Sequence, residues 1–453
     1  MKKAKVVIIG AGPAGIFAGL TLKKAGKADV LLLEKGDDIN NRRRAGGILC
    51  GWGGAGAFSD GKLIISSEVG GFLHEFVEAS ELTALLHEAD DAYIRHGVSE
   101  KTLHGGTGES ARALGEEAKL AGLTFIPTRI RHIGTEHCPE VLKSMRQAFG
   151  EDEVRTGCEV ENILYDADRV RGVRLASGQE IEADFVVAAP GRSGATWMRG
   201  EAARIGLTSH PNPVDIGVRV EAPAPIMKPL TDVAYEAKFI YYSRTFDDRV
   251  RTFCMNPYGE VVTESYGDIT TVNGHSYKGR QTENTNFAIL VSSSFTHPFN
   301  DPIGYGRYIA TLANLLGDGA IVQRLGDLLS GHRSTPERIR RCLTRPTLAS
   351  ATPGDLSFIL PYRHLQDILE MLEAMDQLAP GIFSRHTLLY GVEVKFYSNR
   401  FKLSNRLESE VEGLFIAGDG AGVTRGLLQA SASGILVARE ILRRAGGPVT
   451  DNC

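Results

Sequence analysis

Three glycines stand at the spacing G-x-G-x-x-G in Gly10-Ala11-Gly12-Pro13-Ala14-Gly15. Glycines so spaced act by being small. Gly10 permits a tight turn, Gly12 lets backbone come up to a pyrophosphate, and Gly15 lets a helix lie close on a strand. The apolar run Val6-Val7-Ile8-Ile9 ahead of the motif reads as a buried parallel strand over 5–9. Residues 13–26 read as a helix, with Pro13 suited to its first turn. Residues 29–33 read as a second strand, and Glu34 ends it, where an acid can bond a ribose 2′-OH. The helix N-terminus would offer free N–H groups and a positive dipole end to phosphate. A glycine turn without a ligand is the plain alternative. It does not explain strand, helix and acid together.

A second match, Gly51-Trp52-Gly53-Gly54-Ala55-Gly56, has no strong strand before it. The following Phe58-Ser59-Asp60-Gly61-Lys62 does not open a helix. It is read as a loop lying against a bound cofactor at Gly54 and Ala55, not as a second dinucleotide site. A flexible surface loop is the alternative. Near the C-terminus, Gly413 to Ala417 form a short buried strand that runs into Gly418-Asp419-Gly420-Ala421-Gly422. A helix follows from about Leu427 to Arg444. Asp419 could accept hydrogen bonds from ribitol hydroxyls. The helix start, Gly426-Leu427-Leu428, could face a flavin pyrimidine and stabilise negative charge there. This closing segment together with the first motif points to FAD over NAD.

Other groups carry weaker signals. Lys62 and Arg425, in glycine-rich loops, could orient an anionic substrate or the flavin; structural contacts fit them equally. Cys254 is a lone cysteine, and such residues more often pack than react. His275 follows Asn273-Gly274 in what reads as a polar turn and could move a proton near neutral pH; a surface histidine is the commoner case. Arg333, Arg338, Arg340, Arg341 and Arg345 form a basic stretch that usually means a solvated face.

The elements that must position these groups follow from pattern. Residues 36–66 read as irregular, and 74–96 and 109–121 as helices. Three strand-like runs, Val154 to Tyr165, Val170 to Ala176 and Glu180 to Ala189, read as a meander. Residues 205–400 change character, with helix-like stretches at 305–330 and 363–378. The fold class expected is α/β: a Rossmann-like FAD-binding domain of the glutathione-reductase type, βαβ with a β-meander, plus a mixed α+β substrate domain. The expected domains are 1–204 with 401–453, discontinuous and cofactor-binding, and 205–400 on the substrate side.

Composition narrows the class. The 453 residues leave room for two domains or three. A net charge of −4 gives no global field toward nucleic acid or anionic membrane. The 52 glycines exceed the usual share and gather at 10–15, 46–61 and 418–426. Six cysteines stand apart with no CxxC, so neither a zinc site nor a dithiol is signalled, and reduced cytoplasmic thiols are expected. No apolar run reaches the length of a membrane span.

Gly10–Gly15 with Glu34, Asp184 to Ser193 and Ile416-Ala417-Gly418-Asp419 together resemble the FAD superfamily of aromatic hydroxylases, geranylgeranyl reductases and fumarate reductase flavoproteins. More narrowly, five stretches resemble the bacterial and archaeal FAD-dependent dehydrogenases. They are Gly53 to Leu63, Arg131 to Thr135, Asn284-Thr285-Asn286-Phe287-Ala288, Lys395-Phe396-Tyr397-Ser398-Asn399 and Thr424 to Ser431. The resemblance implies that Lys35, Arg44 and Gly46 line the adenine–pyrophosphate side. It implies that Val160 offers backbone to the adenine, and that Ala189 and Gly191 belong to the cofactor site. Hydroxylases carry an Asp-Gly pair where this chain has Pro190-Gly191, which weakens a hydroxylase reading. A Cys-Met-Cys-Pro stretch of the family is matched by Cys254-Met255-Asn256-Pro257, so no dithiol forms there.

The expected activity is hydride transfer between flavin N5 and a small organic substrate. NAD(P)H or a protein would be the electron donor. A flavin monooxygenase is the second reading, and a flavoprotein that senses or stabilises without turnover is the third. A role on RNA is disfavoured by the acidic balance.

Overall fold

The computed structural model describes residues 3–42, 50–266, 268–277, 280–296 and 298–446. Arg44 and Gly46, expected beside a cofactor, lie outside the described residues.

The chain divides into two compact units. The first holds residues 1–103, 131–212 and 397–453, and the second 104–130 and 213–396. Their hydrophobic cores share no residue. The segment 104–130, expected on the cofactor side, belongs to the second unit. Its helix Glu109–Leu120 packs against its own strand Leu123–Ile126, which pairs with Lys238–Tyr242 of that unit.

The first unit is built on a five-stranded parallel sheet. In spatial order its strands are Leu414–Ile416, Phe185–Ala188, Ala4–Ile9, Ala28–Leu33 and Val154–Arg155. Val6 to Ile9 and Phe185 to Ala188 are buried along their whole runs, as parallel strands covered on both faces require. The helix Pro13–Ala25 starts on Pro13 and stops at Gly26, whose left-handed backbone closes the last turn. The last helix, Leu427–Arg444, packs on it: a Cβ on Gly434 would collide with the carbonyl of Ala14.

An antiparallel meander, Val160–Asp166, Arg169–Leu175 and Glu180–Glu182, accompanies this sheet. It is shorter than the sequence pattern suggests. The two ends of the patterned stretch, Val154–Arg155 and Phe185–Ala188, are strands of the parallel sheet itself. Alternating and continuous apolar runs merge here, and only pairing separates them.

The second unit carries an eight-stranded sheet in the order Thr352–Pro353, Ile321–Arg324, Leu388–Lys395, Val214–Pro223, Asn284–Ser293, Arg249–Asn256, Lys238–Tyr242 and Leu123–Ile126. All its pairs are antiparallel except the first. The hairpin Glu260–Tyr266 and Ile269–His275 forms a separate two-stranded sheet. The stretch 305–330, expected as one helix, is three elements. Helix Pro302–Gly317 ends at Asp318 in left-handed backbone, Ile321–Arg324 is a strand, and Leu325–Leu329 is a short helix.

Candidate functional site

The C-terminal ends of three adjacent strands bring the glycine motifs of the first unit together. Gly10 follows Ala4–Ile9 with φ of 99°, and a Cβ there would collide with the carbonyl of Ala189, which follows the neighbouring strand. A Cβ on Gly15 would collide with the carbonyl of Gly10. Gly12 differs. A Cβ there would meet nothing within 4 Å, and no side chain caps the helix that Gly12 opens. The turn thus leaves an open approach in front of uncapped helix N–H groups. In open parallel sheets this end is where ligands bind.

Glu34 is buried, and its two oxygens hold the turn together. Oε2 accepts from Ala11 N–H at 2.8 Å; Oε1 accepts from Gly36 at 2.8 Å and Gly51 at 2.9 Å. A carboxylate has about four acceptor positions, so little capacity is left over. Lys35 beside it is exposed. The N–H groups of Gly157 and Cys158 bond the carbonyls of Gly36 at 2.9 Å and Glu34 at 2.8 Å. These bonds lead the chain from the end of the second strand to buried Val160.

The loop of the second glycine match is packed, not a free surface loop. Gly53 N–H donates to Ala11 at 2.7 Å, and a Cβ on Gly54 would stand 3.2 Å from Gly12 Cα. Trp52 is fully buried and donates to Leu142 at 2.9 Å. Arg42 donates to the carbonyls of Trp52 at 2.8 Å and Gly54 at 2.7 Å. Ala55 stands half-buried in this loop. A small cavity is walled by Pro13, Gly53, Gly56, Tyr93, Leu142 and Leu427, so the first helix, the glycine loop and the last helix meet there.

At the closing segment, Gly418 takes φ of 74° against Ala14, and its N–H donates to Ser433 at 3.0 Å. A Cβ on Gly420 would stand 2.8 Å from the Pro190 ring, and Gly191 beside that ring has φ of 62°. Asp419 accepts from Thr424 at 2.7 Å and pairs with Arg192 at 3.4 Å. Burial pushes its carboxyl up, against the pull of Arg192, Thr424 and Arg425. Gly426 opens the last helix with no side-chain cap. Leu427 borders the cavity, whereas the Leu428 side chain is in the core.

Lys62 is buried and pairs with Asp60 at 3.1 Å on the strand Lys62–Ile65. Arg425 lies over the rings of Phe72 and Tyr397, both of the first unit. Cys254 and His275 belong to the second unit. His275 ends a strand opposite Glu260 instead of sitting in a turn, because the ladder with Glu260–Tyr266 runs on through Asn273 and Gly274. A Cβ on Gly274 would collide with Asn286. Cys254 has φ of 45° at an irregularity in its strand.

Little in the sequence signals the buried charges beside Cys254. Arg219 is fully buried. It donates to the Cys254 carbonyl at 2.7 Å and to Asn273 at 2.8 Å, and pairs with buried Glu393 at 2.9 Å. Lys395 continues the chain of charges to Glu393 at 3.0 Å and Glu264 at 3.7 Å. Strand 214–223 alternates Asp215, Arg219 and Glu221 with apolar residues, a pattern that ordinarily means a solvated face. The motif residues Asn284, Asn286 and Lys395 lie in this same buried polar layer. In the basic stretch, Arg338 bonds Asp327 at 2.8 Å and Arg340 is an exposed partner of Glu337.

The family model described as FAD dependent oxidoreductase matches residues 5–252. The chain belongs to this family. A second model, FAD-dependent protein, C-terminal domain-like, matches residues 213–396 of this FAD-dependent oxidoreductase. Those are the bounds of the main segment of the second unit. An uncharacterised protein of Clostridium beijerinckii is 27% identical over 481 residues, covering 98% of this chain and 81% of the relative. Among solved structures, L-proline dehydrogenase from P. horikoshii is 13% identical with a TM-score of 0.43, over 98% of this chain and 94% of that one. Glycine oxidase from Geobacillus kaustophilus is 16% identical with a TM-score of 0.39, over 97% and 95%.

FAD is the cofactor of the family, and the first unit fits it. The open face at Gly12 is a cradle that a Cβ would fill, and two long helices begin uncapped. Among the described residues no helix is long and apolar enough to cross a membrane.

Proposed function

We propose that this oxidoreductase is a dehydrogenase or reductase that transfers hydride between flavin N5 and an organic substrate, oxidising a C–C bond or reducing a C=C bond. The observation that carries this over hydroxylation is Pro190. Its ring is wedged between Gly194 and Gly420, at the place where hydroxylases carry an acid.

FAD, when bound, supplies a hydride acceptor and donor. The chain's own residues do the rest. Gly10, Gly12, Pro13, Ala14 and Gly15 bring helix N–H groups to the pyrophosphate. Glu34 would stand at the adenosine ribose, and Lys35 and the Val160 backbone would lie on the adenine–pyrophosphate side. Gly54, Ala55, Ala189, Gly191, Gly418 and Gly420 would let the cofactor approach the backbone, and Asp419 would accept hydrogen bonds from ribitol hydroxyls. Gly426, Leu427 and Leu428, at the start of the last helix, would offer N–H groups to the pyrimidine. Lys62 and Arg425 serve orientation, and His275 serves proton transfer. Cys254 acts through its carbonyl on Arg219 and not as a nucleophile.

The test is an absorbance spectrum of the purified protein, then anaerobic addition of NADH and of NADPH. A flavin spectrum is expected, bleached by a nicotinamide or, failing that, by a substrate in the absence of oxygen. Substrate-dependent oxygen uptake with a hydroxylated product would overturn the dehydrogenase reading.

A further inference from the structure

The guanidinium of Arg425 lies against two aromatic rings. Its Cζ lies 3.6 Å from the ring centroid of Tyr397 and 4.5 Å from that of Phe72. What remains for bonding is the edge, a planar row of N–H donors. Nε is buried and has no hydrogen-bond partner. The arginines around it are all answered: Arg400 pairs with Glu75, and Arg192 with Asp419 at 3.4 Å. Among the described residues no carboxylate pairs with Arg425.

The arrangement is built in advance. Phe72 N–H donates to Val423 at 2.7 Å, and Arg425 N–H donates to Gly70 at 2.8 Å. Gln429, 1% exposed, donates to Val69 at 3.0 Å and Ser66 at 3.3 Å. The ring of Phe72 is thereby laced to the segment that carries Arg425. Gly71 has to be glycine, since it has φ of 151° and a Cβ there would stand 2.7 Å from the Val423 carbonyl. On the other side, Asn212 donates to Ser398 at 2.8 Å and Gly422 at 3.0 Å, holding the chain next to Tyr397. A charged donor left buried and unpaired is costly, and a group held rigid before binding loses little entropy on binding.

We propose that Arg425 anchors an oxyanion of the substrate, a carboxylate or a phosphate, taken edge-on beside Phe72 and Tyr397. This rests on the reading of the Thr424–Ser431 stretch as part of the flavin site and names the substrate class for it. Aromatic contact with the guanidinium plane leaves its N–H edge for a ligand. It selects a group that can meet two parallel N–H bonds in one plane.

The experiment is calorimetric titration of the flavin-loaded protein with benzoate and, separately, with inorganic phosphate. Flavin content is read from the same sample. Wild type should bind one of the two, and the tighter probe names the substrate's group. Arg425→Gln should weaken that binding about tenfold or more, as loss of a charge-assisted bond dictates, and Arg425→Lys should fall between. Phe72→Leu keeps the charge and should also weaken the anion while flavin content stays unchanged. That variant carries the test if Arg425→Gln does not fold. Equal binding by wild type and Arg425→Gln, or no binding of either probe to wild type, overturns the proposal. So does displacement of phosphate by FAD from stripped protein, because the anion site would then be the cofactor's own. A wild type without flavin defeats the FAD reading instead, and titration of that protein still decides on Arg425.

Discussion

Gly12 and Gly15 sit three positions apart and answer to different neighbours. Gly15 is small for the fold, because the Gly10 carbonyl occupies the place of its Cβ. Gly12 is small for something outside the chain, because its Cβ would meet nothing. Gly15→Ala is therefore expected to lower the melting temperature clearly. Gly12→Ala, at φ of −81° where alanine is comfortable, should melt like wild type. It should nevertheless bind FAD about tenfold or more weakly, if backbone approach to the pyrophosphate is its role. Thermal melts with flavin titration separate the two; unchanged FAD affinity in Gly12→Ala would remove Gly12 from the cofactor site. A second residue-scale prediction concerns pH. Asp367 is fully buried, and that burial, with Asp248 beside it, pushes its carboxyl up to about 6 while Ser243 pulls down. A carboxyl raised in the fold contributes stability below its unfolded value of 3.8 and loses it as pH rises through 6. Asp367→Asn should then raise the melting temperature at pH 8 and leave it nearly unchanged at pH 4. The same difference at both pH values would show that charge is not the cause.

At the scale of elements, the polar layer of the second unit is held by charges buried away from the surface. Removing Arg219 alone leaves Glu393 buried without its main partner, together with the Asn273 and Cys254 oxygens. Breaking one side of such a pair costs about 3–5 kcal/mol. Arg219→Met is expected to destabilise by that order in denaturant melts. Arg219→Met combined with Glu393→Met should recover part of the loss, since the buried charge goes with its partner. Strict additivity of the two changes would mean that the pair is not coupled. Elements were legible where one period ran unmixed. The helices at Pro13–Ala25, Tyr362–Asp376 and Leu427–Arg444 stand close to where the 3.6-residue pattern puts them. The stretch 305–330 misled because Ile321-Val322 continues the apolar content while Asp318 and Gly319 break the backbone.

On the scale of the molecule, the segment 104–130 shows what chain order hides. Its strand Leu123–Ile126 covers the edge strand Lys238–Tyr242, with Phe125 and Phe239 rings 5.4 Å apart. A fragment of residues 213–396 alone would expose that edge and its apolar face. It is expected to aggregate on gel filtration, and a version with 104–130 joined to it should run as a single species. A soluble, monodisperse 213–396 would show that the edge needs no cover.

What the sequence determined by itself is local. The βαβ start, the glycine turn at 10–15 and the acidic turn at 418–420 each lie within a few residues, so steric need and hydrogen bonding act along the chain and leave a readable pattern. What only the tertiary structure decided is non-local: the engagement of Glu34 with the turn, the contact of Arg425 with Phe72 and Tyr397, and the burial of Arg219, Glu393 and Lys395. An alternating strand such as 214–223 carries the same residues whether water or a hairpin covers its polar face. The cover comes from residues far along the chain, and no local period records it.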